Sequence, residues 1–309
     1  MTALTGTAPQ YVRSIASPSG APAGRVRADV FAKSESELLA LYENRDAPLS
    51  DLEMRSAERN FLARRYSLPA DRVVALHQVH GDRAVEIRAD QLAARAGPRD
   101  AANAEHAGIF YGEGDALFTG EPGVLLTIRT ADCLPLFFDL SLDPGQADTQ
   151  NPIPTTRTVV GIAHAGWRGL AAGIVSRTLA AALAELYGAA DAAKIGAPRG
   201  RFRGRFFFGP CIGPAAYYVG EEVARRFTHK RRTPESDKYL LDLPANARLE
   251  IDRALQSHAL AFGLDAKALA RHCETLPDFE ACTYQSNERY FSHRRGDRGR
   301  NLNTIVIEE

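Results

Sequence analysis

The stretch Ala163-His164-Ala165-Gly166-Trp167-Arg168-Gly169 decides how this chain is read, because a β-branched apolar run ends in it and a helical pattern follows it. Upstream, residues 157 to 163 (RTVVGIA) predict a strand. Downstream, Leu170, Ile174, Thr178, Ala181 and Leu186 recur at helical spacing until Gly188 offers a C-cap. His164 therefore falls at the end of a strand. Gly166 and Gly169 let the backbone approach a ligand, and the free N–H groups of a helix start, with the Arg168 fork beside them, favour an anion. The one Trp of the chain lies in this turn.

Working outward, 309 residues with 45% hydrophobic and 25% charged side chains suit a water-exposed globular chain with a large core. No apolar run approaches the roughly 20 residues of a membrane span. A formal net charge of +0 provides no global field for nucleic acid or an anionic membrane. Four cysteines (Cys133, Cys211, Cys273, Cys282) are too sparse for a disulfide framework, and no basic-then-apolar leader opens the chain, so a reducing cytoplasm is expected. Cys211, Cys273 and Cys282 read as small packing residues.

Residues 1 to 25, rich in Ala, Ser, Pro and Gly, predict a loose arm, and 26 to 309 a single domain. Residues 34 to 66 read as two helices split at Pro48. Residues 73 to 76 read as a strand running into His77-Gln78-Val79-His80-Gly81, with 84 to 87 as its continuation or hairpin partner. Residues 90 to 114 read as a loop, 124 to 128 and 134 to 138 as strands, 141 to 156 as a polar loop, and 206 to 208 as a strand. The basic stretch 196 to 205 reads as a solvated loop, with RNA binding as the weaker reading. Residues 221 to 227 and 245 to 262 predict helices, 239 to 243 and 304 to 307 strands. Irregular alternation of strands and helices favours a mixed sheet in an α+β fold.

His80, Cys133 and His164 each lie at an expected strand end, 53 and 31 residues apart, so one sheet edge can collect them. Together they would leave one position of a tetrahedral zinc open, the pattern of a catalytic site. Zinc lowers the pKa of bound water toward ~7 or polarises a substrate. The same residues permit copper, since His, Cys and His suit a blue-copper centre, or a metal-free hydrolase with Cys133 as nucleophile. Asp132, the carboxylate nearest in sequence to a ligand, is either a proton carrier or a turn cap. Arg168, Arg294, Arg295 and the other cations of the 294 to 300 loop are candidates for holding an anion such as phosphate. Neither a Gly-Lys-Ser/Thr phosphate loop nor a Rossmann glycine fingerprint is present.

Gln78-Val79-His80-Gly81, Gly114-Asp115-Ala116-Leu117, Thr130-Ala131-Asp132-Cys133-Leu134-Pro135, His164-Ala165-Gly166-Trp167-Arg168-Gly169, Gly209-Pro210-Cys211-Ile212-Gly213 and Phe291-Ser292-His293-Arg294-Arg295 together resemble the laccase-domain family, also called polyphenol oxidase or purine nucleoside phosphorylase. The resemblance implies a mixed-sheet β-sandwich flanked by helices and related to deamidase-toxin-like cysteine hydrolases. It implies zinc, with copper as the older assignment, on His80, Cys133 and His164. The implied activity is phosphorolysis of adenosine, inosine, guanosine and methylthioadenosine, with adenosine deamination and copper-dependent phenol oxidation as further activities. Purine nucleoside and phosphate would be the partners, with no nucleic acid or membrane. The chain departs from the family pattern at Phe61, at Tyr218, and at His293 before the paired Arg294 and Arg295.

Overall fold

The computed structural model describes residues 12–15, 25–43, 50–88, 90–92, 112–143, 156–188, 201–234, 236–261, 273–275 and 281–308. Fourteen strands are defined in chain order: β1 Val12–Ile15, β2 Val26–Phe31, β3 Val73–Ala75, β4 Ala84–Glu86, β5 Ala116–Thr119, β6 Leu125–Thr130, β7 Leu134–Asp143, β8 Arg157–Ala165, β9 Arg201–Phe208, β10 Tyr218–Val219, β11 Lys230–Arg232, β12 Tyr239–Leu241, β13 Cys273–Thr275 and β14 Asn301–Ile307. A five-stranded sheet runs β1-β2-β14-β6-β3, a six-stranded sheet β13-β9-β7-β8-β5-β4, and a small sheet β10-β12-β11. Both large sheets mix parallel and antiparallel pairs.

The two large sheets face each other across an apolar layer in which Val26, Leu126, Ile128 and Ile305 of one meet Leu117, Phe137, Val160 and Phe207 of the other. Within that layer Phe137 and Phe207, directly opposite on β7 and β9, stack with centroids 4.8 Å apart. Helices cover both outer faces. On the five-stranded sheet, helices Ser36–Glu43 and Asp51–Tyr66 bury Leu38, Phe61 and Leu62 against Phe31 and Val306. The second begins at a capping box, with the Ser50 hydroxyl on the Glu53 N–H and the Glu53 carboxylate on the Ser50 N–H. On the six-stranded sheet, helices Ile174–Tyr187 and Leu243–Ala261 pack on Leu136, Phe138 and Phe208. The chain is thus an α+β sandwich of mixed sheets between helical layers.

Several expectations change. Residues 73 to 76 and 84 to 87 are neither a hairpin nor one strand: β3 pairs in parallel with β6 in one sheet, and β4 in parallel with β5 in the other. The helix expected straight after the His164 turn is two helices, Trp167–Ala172 and Ile174–Tyr187, jointed at Gly173 with φ +90°. Residues 201 to 205 are strand, not solvated loop; β9 pairs with β7 along its length, and Arg205 forms a buried ion pair with Asp139. The arm contains β1, antiparallel to β2, a strand that was not anticipated. Pro48, residues 93 to 111 and 144 to 155, Gly196 to Gly200 and the rest of the arm lie outside the described residues. No described helix is long and apolar enough to cross a membrane.

Candidate metal centre

Two passages between the large sheets build the site. From β3 to β4 the chain leaves the five-stranded sheet for the six-stranded one through Gln78-Val79-His80-Gly81, and from β6 to β7 it makes the same passage through Ala131-Asp132-Cys133. Because β3 and β6 are parallel neighbours, both passages leave from the same edge. Strand β8, antiparallel to β7 with Pro135 opposite His164, brings the second histidine to that edge. The ligand atoms of His80, Cys133 and His164 lie within 4.8 Å of one another, the one such group found among the described residues. The two imidazoles meet edge to face at 4.7 Å.

The local backbone is held closely. Gln78 donates its amide to the Arg129 carbonyl (2.9 Å) and accepts the Arg129 N–H (2.8 Å), tying the His80 passage to β6. His80 itself takes the left-handed conformation, with φ 62°. The carboxylate of Asp115, fully buried, accepts the N–H groups of Val79 (3.2 Å), His80 (2.9 Å) and Gly81 (2.7 Å), and lies 2.8 Å from Nδ1 of His164. The Asp115 carbonyl accepts the His164 N–H at 2.7 Å. Gly166 is there because nothing larger fits: a Cβ would stand 2.9 Å from Cys133 Sγ.

The electrostatics suit a metal. Burial disfavours the Cys133 thiolate, but the charge and hydrogen bond of His164, with His80 beside it, more than offset this and bring the thiol down to about 6. Burial likewise opposes a charged His164, yet the Cys133 thiolate and the Asp115 carboxylate hold its proton up to about 9. Burial raises the Asp115 carboxyl; the His164 hydrogen bond and the N–H groups of Gly81 and His80 outweigh it and leave the group ionised below the usual range. An ionised carboxylate can only accept, so Nδ1 of His164 carries the proton and Nε2 is left for a ligand. One thiolate and two imidazoles within a few ångströms are a donor set that fits a tetrahedral transition metal with an open position.

The other sequence candidates divide. Asp132, with φ 87°, accepts the Thr283 hydroxyl on Oδ1 (2.7 Å) and the Arg294 N–H on Oδ2 (2.7 Å), and its carbonyl accepts the Ile212 N–H (2.9 Å). Those contacts make it an anchor of the Cys133 turn, with a donor on each carboxylate oxygen. Arg168 is exposed, with its guanidinium 4.7 Å from the Trp167 ring. Arg294 lies 5.5 Å over the Tyr217 ring. Burial and then the Cys133 charge push the Tyr217 phenol up, while Arg294 and Arg168 act to lower it. Arg295 is spent on the carbonyls of Thr283, Tyr284 and Tyr290 and on Asp297. His77 sits in a backbone bridge with Glu113 and is not part of the ligand group. Cys211 and Cys282, neither of them in a disulfide, stand opposite each other in an isolated bridge; Cys211 is buried and Cys282 half-buried.

A cavity of about 480 Å³ opens over the three ligands. Its walls include His293, Arg298 and Arg300 from the basic loop, and Tyr42, Arg55 and Arg129. Arg129 pairs with Glu58 (3.1 Å) and Asp51 (3.4 Å), and Arg55 with Asp51 (3.2 Å), whereas Arg298 and Arg300 have no carboxylate partner among the described residues, although Arg300 donates to the Arg298 and Gly299 carbonyls (2.9 Å each). Sequence reasoning gave Asp115, Gln78 and Arg129 no role. A signal for Asp115 was available, as a short carboxylate between Gly114 and an apolar strand has no packing reason to be there.

Residues 50–308 match the family profile described as multi-copper polyphenol oxidoreductase laccase. The chain is 30% identical over 218 residues to a Deinococcus radiodurans protein named purine nucleoside phosphorylase, covering 71% of this chain and 67% of that one. It is 30% identical over 250 residues to purine nucleoside phosphorylase YlmD of Geobacillus stearothermophilus, covering 78% and 73%. With a Pseudomonas aeruginosa protein also named purine nucleoside phosphorylase, it shares 30% over 197 residues, spanning 65% of that relative's length. The crystal structure of Geobacillus YlmD superposes with a TM-score of 0.57 at 26% identity, over 93% of this chain and 92% of that one. That of a Bacillus licheniformis hypothetical protein YfiH gives 0.60 at 22%, over 93% and 97%, a likeness of fold. The chain therefore belongs to the laccase-like YfiH family.

Proposed function

We propose that this chain is a zinc-dependent purine nucleoside phosphorylase. The observation that carries the reading is one cavity that holds a His-Cys-His donor set together with excess arginines. Phosphorolysis needs an electrophile and an oxyanion side by side, whereas hydrolysis or phenol oxidation needs no cationic wall. Relatives named purine nucleoside phosphorylase at about 30% identity support the same reading. His80, Cys133 and His164 would hold the zinc, which when bound supplies a Lewis acid at its open position. Arg298 and Arg300 would hold phosphate, with Arg168 and Arg294 as a second cationic group on the Cys133 side. The phosphate oxygen would attack C1′ of the ribose as the glycosidic bond breaks and its electron pair leaves on the purine nitrogen; the proton of hydrogen phosphate passes to the base, giving the free base and the sugar 1-phosphate. Adenosine, inosine, guanosine and methylthioadenosine form the proposed substrate panel. Neither adenosine deamination nor copper oxidation has an observation in its favour here.

The test is turnover of that panel by zinc-loaded protein with and without phosphate, following base together with ribose-1-phosphate, or with 5-methylthioribose-1-phosphate for methylthioadenosine. The reading expects both products only with phosphate. Base release at equal rate without phosphate would make the chain a nucleosidase, and conversion of adenosine to inosine alone a deaminase.

A further inference from the structure

We infer that Asp115 is a positioning residue that presents both metal-binding histidines, one through its ring and the other through its backbone. The inference rests on the metal reading of the triad and not on the nucleoside reading. The carboxylate is filled. Oδ1 takes the His80 N–H at 2.9 Å and His164 Nδ1 at 2.8 Å, and Oδ2 takes the N–H groups of Val79 at 3.2 Å and Gly81 at 2.7 Å. Four donors on two oxygens use the accepting capacity of a carboxylate, so Asp115 is neither a ligand nor a proton shuttle.

Its two effects differ. Toward His164 it fixes ring and main chain at once, since the same residue's carbonyl accepts the His164 N–H at 2.7 Å. That selects the tautomer with the proton on Nδ1 and directs Nε2 toward the ligand group. Toward His80 it acts on the backbone: three successive N–H groups converge on it and hold His80 at φ 62°, a conformation a non-glycine residue keeps only when its surroundings impose it. Asp115 is adjacent to β5, whose Ala116 pairs with Ala163, so the sheet register sets it opposite His164. Cys133 is outside this arrangement; Asp132 anchors its turn separately.

An amide cannot replace this carboxylate. Asp115→Asn would turn an NH2 either against the Val79 and Gly81 donors or against His80 N–H and His164 Nδ1–H, and the latter would drive the His164 proton to Nε2. Zinc affinity of Asp115→Asn and Asp115→Ala, measured by chelator competition, should fall about 10- to 100-fold. Cobalt-loaded variants should keep the near-ultraviolet thiolate band of Cys133 while the visible bands of tetrahedral coordination weaken.

Gly173→Ala, strained at a joint away from the ligands, serves as the control for general destabilisation. If it loses as much zinc affinity as Asp115→Asn at equal loss of melting temperature, Asp115 is merely structural and the inference fails. If the Asp115 variants do not fold, nitrogen-15 spectra of the wild-type zinc protein decide. A proton on Nδ1 of His164 with Nε2 metal-bound is expected; the reverse assignment overturns the inference. Wild-type protein that binds zinc but phosphorolyses no nucleoside would sink the proposed function and leave Asp115 in place.

Discussion

Cys133 and His164 stabilise each other's charge in surroundings that would favour neither charge alone. The thiol, depressed to about 6, stays ionised down to that pH, and its contribution to stability is lost as pH falls through it. The imidazole, raised to about 9, keeps its proton through neutral pH, and its contribution is lost as pH rises through that value. Zinc must displace that proton. Its affinity should therefore climb about tenfold per pH unit between these two values and flatten above the upper one. Calorimetry in buffers of differing ionisation enthalpy should find about one proton released by His164 per zinc at neutral pH. A pH-independent affinity across this window would mean that His164 is not a ligand. Gly166→Ala is the steric counterpart. Its new Cβ would lie 2.9 Å from Cys133 Sγ, so bound zinc should fall well below one per chain while circular dichroism is unchanged. Full zinc in that variant would show that the thiol has room to move.

At the scale of elements, the joint between helices Trp167–Ala172 and Ile174–Tyr187 makes a separable prediction. Gly173 has φ +90°, and no neighbour lies near the place of a Cβ, so Gly173→Ala should cost about 1–3 kcal/mol through backbone strain alone. Denaturant titration should show the loss and metal analysis an unchanged zinc content. That joint also shows why part of the fold was not legible. Leu170, Ile174 and Thr178 keep helical spacing across Gly173, and periodicity does not register a break that preserves the phase. The apolar runs of β6, β7 and β8 were readable because both of their faces are largely buried. Strand β9 was hidden by its arginines, since the Asp139 partner that lets Arg205 be buried lies 66 residues away in sequence. The parallel partners of β3 and β4 are equally non-local, so proximity wrongly suggested a hairpin. Cys133 and His164 were legible as strand-end residues, whereas His80, also expected at a strand end, lies beyond β3 in the passage to β4. Asp115 carried only the signal of a carboxylate before an apolar strand, and its role was not readable because its donors, on residues 79 to 81 and on His164, are brought to it only by the fold.

For the whole molecule, the metal site joins the two sheets where the chain passes twice between them. Zinc bound only to the folded chain should stabilise it by about 2.7 kcal/mol at a hundredfold excess over Kd, so chelation should lower the melting temperature by several degrees. Cys133→Ala, which removes a ligand, should melt at the same temperature with or without zinc. The proposed function requires this one zinc to support phosphorolysis. Stepwise addition of zinc to metal-free protein, with ribose-1-phosphate formation from inosine and phosphate measured at each step, tests it most directly. The rate should rise in proportion to zinc, level at one equivalent per chain and be absent in Cys133→Ala. Full phosphorolysis by the chelated protein or by Cys133→Ala would contradict it.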